Sequence, residues 1–82
     1  VKFMSDYKSY LQELVQTDKK SLSYNVVKET GPAHDKTFEV EVEVDGIIYA
    51  HGVGKSKKEA EQNAAKNAIM ISAGEVNETD KN

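Results

Sequence analysis

The chain has no cysteine and no arginine, a single proline, and no apolar run approaching the roughly 20 residues of a membrane-spanning helix. Without cysteine, disulfide scaffolds and thiolate zinc sites are excluded. Without arginine, every permanent cation is a lysine, which limits the pull on an anionic partner. Val1-Lys2-Phe3-Met4 leads straight into polar residues and does not read as a secretory signal. The acids are scattered or alternate along one segment, with neither a paired carboxylate nor a histidine cluster to hold a metal. No catalytic residue and no metal site is therefore assigned. The first residue is valine rather than methionine, which points to a fragment of something longer.

What is present fits one small α+β domain. The 82 residues are 38% hydrophobic and 30% charged, a balance suited to a folded chain rather than a disordered one. From Ser5 to Thr17, Tyr7, Tyr10, Leu11, Leu14 and Val15 recur at helical spacing, with Ser9, Gln12, Glu13 and Gln16 opposite. Asp18-Lys19-Lys20-Ser21 is a polar loop. Ser23–Glu29 is rich in β-formers, and Thr30–Asp35 is a turn-forming loop that contains the proline. In Thr37–Val44, Phe38, Val40, Val42 and Val44 point one way while Glu39, Glu41 and Glu43 point the other. Asp45-Gly46 is a two-residue hairpin signal into Ile47–Val53. The last helix is predicted over Lys57–Ile71, burying Ala60, Ala64, Ala68 and Ile71. The expected order is α-β-β-β-α, with two helices packed on one face of a three-stranded antiparallel sheet. Residues 1–5 are expected to be a linker remnant, 6–72 the domain, and 73–82 a flexible acidic tail.

The most informative segment is Gly54-Lys55-Ser56-Lys57-Lys58-Glu59-Ala60. Ser56 and Glu59 form a capping box at a helix start. Lys57 and Lys58 occupy the first turn, where the helix dipole favours carboxylates and opposes cations. That is a poor choice for stability and a good one for phosphate. The net charge is −3, and residues 1–71 still carry ten lysines against eleven acids, so the placement of charge matters more than its sum. Gly52-Val53-Gly54-Lys55-Ser56 ends like a nucleotide-binding P-loop, but that motif needs a glycine where Tyr49 stands, so nucleotide binding is rejected.

These pieces together resemble the double-stranded RNA-binding domain. The resemblance runs over about Asp6–Ile71 through Leu11-Gln12-Glu13, Gly31-Pro32-Ala33-His34, the strand with Phe38, and Gly52-x-Gly54-x-Ser56-Lys57-Lys58-Glu59-Ala60-Glu61. It is greatest to the C-terminal domain of bacterial ribonuclease III, whose linker is similar to Val1–Lys8. The resemblance implies three contacts with duplex RNA. Ser9, Gln12 and Glu13 would lie in one minor groove. Pro32, His34 and Lys36 would serve the next. Lys55, Ser56, Lys57 and Lys58 would face the phosphates between them. Glu61 stands where many members carry another cation, so modest affinity with strong salt dependence is expected.

The resemblance further implies a cytoplasmic protein that binds RNA and cuts nothing by itself, with no cofactor in this chain. Mg²⁺ would belong to a separate nuclease domain, through which the parent would pair as a homodimer while the isolated domain stays monomeric. No membrane and no nucleotide is expected as partner. The competing reading is a protein-interaction module of the same fold, dimerising through an exposed strand or helix face.

Overall fold

The computed structural model describes residues 6–72; the expected linker remnant 1–5 and the tail from 73 onward lie outside them. Five elements follow in order: α1 (Tyr7–Thr17), β1 (Leu22–Thr30), β2 (Thr37–Val44), β3 (Ile47–Gly54) and α2 (Lys57–Ser72). The strands form one antiparallel sheet in the order β1-β2-β3.

Alternation along β2 decides which face is covered. Val40, Val42 and Val44 are buried, whereas Glu39, Glu41 and Glu43 are half-buried on the far face. On that face Asn25 Nδ2 donates to Glu41 and Glu43 at 3.3 and 3.1 Å, and His51 Nε2 lies 3.7 Å from Glu41. Against the valines pack Leu11 and Val15 of α1, Ala50 of β3, and Ala60, Ala64, Ala65 and Ala68 of α2. The core is thus small side chains on the helix and β-branched ones on the sheet, which brings the two layers close together. Gly52 shows how close. A Cβ there would run into Ala64 N and the Ala60 carbonyl oxygen, and would lie 2.7 Å from Ala64 Cα.

Two residues of the expected apolar stripes are exposed instead. Tyr10 is 54% exposed, because at 100° per residue it points about 120° away from the direction shared by Leu11 and Val15. Ile71 is 39% exposed in the final turn of α2, beyond Ala68, and Ala65 is buried in its stead.

The connections follow local rules. Asp45 and Gly46 both adopt positive φ (52° and 82°), the conformation of a tight primed hairpin turn. Asp45 also fastens the turn to the α1–β1 connection, its N–H donating to Ser21 O at 3.0 Å and its Oδ1 accepting from Ser21 N at 3.0 Å. Helix α1 ends with Lys19 in the left-handed region (φ 58°), while Lys19 N and Lys20 N donate to Gln16 O and Val15 O at 3.0 and 2.8 Å. This is a Schellman closure with lysine where glycine is usual. One extra residue interrupts each sheet ladder, Val27 in β1 and Tyr49 in β3.

Candidate nucleic-acid interface

The start of α2 is built as the sequence suggests, with one shift. Ser56 Oγ accepts from Glu59 N at 3.1 Å, the forward half of the capping box. The Glu59 carboxylate accepts from Lys55 N at 2.7 Å, one residue earlier than a standard box would place it. Gly54 makes room for this return, since a Cβ there would meet Glu59 Cγ and Ala60 N at 2.7 Å. The result fixes Lys55 as firmly as Ser56. Lys55, Ser56, Lys57 and Lys58 are all exposed.

The three lysines stand in different surroundings. Lys57 Nζ lies 6.0 Å from the centre of the Phe38 ring, at the outer limit of a cation–π contact, with no carboxylate within 4.0 Å among the described residues. Lys58 is close enough to Asp6 to help lower that carboxyl's pKa. Lys55 reaches away from the helix: its ammonium donates to Asp35 Oδ1 and Thr37 Oγ1, each at 3.2 Å. The sequence shows no acid among these lysines, but folding brings Asp35 to one of them across twenty residues.

Helix α1 supplies the second surface. Asp6 caps it by accepting from Ser9 N at 3.4 Å; the Ser9 side chain is the main cause of its lowered pKa, with further help from that backbone N–H, Gln62 and Lys58. Ser9, Gln12 and Glu13 are exposed and line a shallow groove with Lys8 and Tyr24 of β1. Lys8 ties this groove to α2. Its backbone N–H donates to Gln62 Oε1 at 3.1 Å, and its ammonium pairs with Glu61 while standing 5.2 Å from the centre of the Tyr24 ring. Glu61 thus spends its charge locally. It ties α1 to α2 and neutralises a lysine that lines the groove.

The third surface is the β1–β2 loop. Gly31 takes φ +94°, and a Cβ there would sit 2.6 Å from Asp35 O. Asp35 N donates to Pro32 O at 2.9 Å and closes a turn with Pro32 and His34 both exposed. Lys36 Nζ donates to Glu29 Oε1 at 3.1 Å at the base of the loop.

Folding ties two of the predicted groups to α2 and its approach, one at the second turn and the other just ahead of the first. Helix α1 is tied through Lys8, Gln62 and Glu61, and the loop through Lys55 and Asp35. Sequence reasoning missed Asp6, Lys8, Tyr24 and Asp35. Asp6, standing just ahead of the first apolar stripe, carries a legible N-cap signal. The other three depend on partners far along the chain and left no local mark.

The family model described as double-stranded RNA binding motif matches residues 7–70. Ribonuclease 3 from several Streptococcus pneumoniae strains, Hungary19A-6 and CGSP14 among them, is 55% identical over 67 residues, 80% of this chain. The match spans only 29% of those relatives' length. Among solved structures, one of Arabidopsis HYL1, described for its implications in miRNA processing, has a TM-score of 0.73 at 37% identity. It covers 82% of this chain and 96% of that one. The second dsRBD of DRB4 has a TM-score of 0.60 at 38% identity, covering 82% and 94%. In sequence and in fold, the chain belongs to the double-stranded RNA-binding motif family.

Proposed function

We propose that this chain binds double-stranded RNA as the RNA-holding part of a ribonuclease III-type protein whose chemistry is done elsewhere in the polypeptide. The observation that carries the reading is that the exposed lysines at the start of α2 are flanked by two other exposed polar surfaces, one tied to Gln62 of the helix and the other to Lys55 just ahead of it, in a member of this family. Lys57 and Lys58 supply positive charge beside the unpaired N–H groups of a helix start, which suits phosphates. The major groove of A-form RNA is too deep and narrow for side chains to read, so phosphate contact is the chemistry available there. Ser9, Gln12 and Glu13 offer donors and acceptors for 2′-hydroxyls and base edges, and Pro32 with His34 offers a second probe.

Such binding reads shape. Titration of a labelled RNA duplex and the DNA duplex of the same sequence, at about 0.1 M salt where surface charges act over ~10 Å, tests it. Tight binding of the RNA and far weaker binding of the DNA is expected; equal affinities sink the reading.

The competing view is dimerisation through an exposed strand or helix face, and the β3 edge is poorly suited to it. Along β3 the outward carbonyls of His51 and Val53 already accept from Asn67 Nδ2 and Asn63 Nδ2, each at 2.7 Å. A strand added there would have to displace both amides. Sedimentation of the domain is expected to show a monomer, and a tight dimer that ignores RNA would reverse the ranking.

A further inference from the structure

We propose that Lys55 and Asp35 form a clasp that holds the His34 loop at a fixed distance from the start of α2, so that Lys55 is a positioning residue and not a phosphate ligand. This rests on the duplex RNA reading and deepens it. Lys55 is held at both ends: its backbone N–H by Glu59 at 2.7 Å, its ammonium by Asp35 and Thr37 at 3.2 Å. Two of the three ammonium donors are thus used within the protein.

Asp35 is no loose partner. Its own N–H closes the turn to Pro32 O, and its carbonyl oxygen fills the space that a side chain at Gly31 would need. On the other side of the loop base, Lys36 is tied to Glu29 at 3.1 Å. The loop is therefore pinned on two sides, with His34 exposed between them.

An RNA duplex presents its successive minor grooves at a fixed spacing, so a protein touching two of them gains from holding its probes at that spacing before binding. A loop already ordered in the free domain avoids the entropy cost of ordering it on the RNA.

The alternative is that Asp35 merely competes with phosphate for Lys55. The two ideas predict opposite signs for Asp35→Asn. If Asp35 competes, removing its charge frees Lys55 and tightens binding. If Asp35 positions, the same change weakens binding although it removes a negative charge from the RNA-facing side. Both side chains of the pair are more than half exposed (63% and 61%), so neither variant threatens the fold.

The experiment uses the 82-residue chain and an RNA duplex of about 20 base pairs, longer than the ~16 such domains span. Affinity is measured across a salt series for wild type, Asp35→Asn, Lys55→Gln and Lys57→Gln, and amide exchange of residues 33–36 is measured without RNA. Asp35→Asn and Lys55→Gln are each expected to weaken binding about two- to five-fold, the range of an exposed ion pair, with the salt slope unchanged. Both are expected to speed amide exchange in the loop. Lys57→Gln instead lowers the slope by about 0.7–0.9, one phosphate's share. Tighter binding by Asp35→Asn, a reduced slope for Lys55→Gln, or unchanged loop exchange overturns the clasp. Failure of the wild type to prefer RNA is a different result: it removes the duplex RNA reading, and with it the role of the clasp in binding.

Discussion

Replacing Gly52 with alanine tests the closest approach in the fold. The added methyl would collide with Ala64 N and the Ala60 carbonyl and lie 2.7 Å from Ala64 Cα, against an ordinary carbon–carbon contact of about 3.5–4.0 Å. All of these are helix backbone, so no side chain can swing aside; α2 must lift from β3 by about 1 Å. A gap of that size forfeits a quarter to a half of each dispersion contact it opens. Ala60, Ala64 and Ala68, all 0% exposed, line the contact. Overpacking ordinarily costs about 1–3 kcal/mol, and with backbone as the obstacle we place this case at about 3 kcal/mol. A chain of this length has about 4–12 kcal/mol of stability in all. Thermal melting followed by circular dichroism should show a fall of roughly 12–24 °C, from about 4–8 °C per kcal/mol. Gly46→Ala is the control: its φ of 82° strains alanine, but nothing lies within 4 Å, so only about 1–2 kcal/mol is expected. A drop below about 4 °C for Gly52→Ala, or one equal to that of Gly46→Ala, would refute the claim that the β3–α2 contact is rigid.

Lys57→Gln/Lys58→Gln should leave the melting temperature almost unchanged while lowering the salt slope of RNA binding by about 1.4–1.8, two phosphates' worth; an unchanged slope would remove these lysines from the interface. Tyr24 carries a buried hydroxyl with no hydrogen-bond partner among the described residues, so Tyr24→Phe should stabilise the domain by up to about 1 kcal/mol in urea unfolding. Burial, and next to it the charge of Glu61, push the Tyr24 hydroxyl up to about 12. Its folded pKa lies above its unfolded value near 10, so its titration takes nothing from stability below pH 10, and stability falls as pH rises from there through 12 because the unfolded chain ionises first. The phenylalanine variant should lack that loss. Lys19→Gly should stabilise by about 1 kcal/mol, because glycine takes the left-handed φ at the end of α1 without the strain lysine bears; a lower melting temperature would refute this.

Much of the architecture could be read along the chain, because its signals are local. The Phe38–Val44 alternation, Asp45-Gly46 and the Ser56–Glu59 box each act within a few residues, and each forms the element its pattern calls for. The errors have equally local explanations. Tyr10 sits at the edge of the helical stripe, and Ile71 sits in a final turn with no buried neighbour beyond Ala68. Ionic partners were harder to read. Glu61 looked like a deduction from the RNA-binding charge, whereas it holds Lys8 across 53 residues. Asn63 and Asn67 gave no hint that they cover the outer edge of β3.

The sequence by itself determined the order of elements, the buried valine and alanine faces, and the family, since these depend on periodicity and on motifs of a few residues. Only the tertiary structure decided which lysines remain free to meet an anion. Charge pairing depends on distances of 3–4 Å between side chains far apart in the chain, and no spacing along the chain records them. Lys55 meets Asp35 because β2 pairs with β3, Phe38 opposite Gly54, and Lys8 meets Glu61 because α1 is packed against α2.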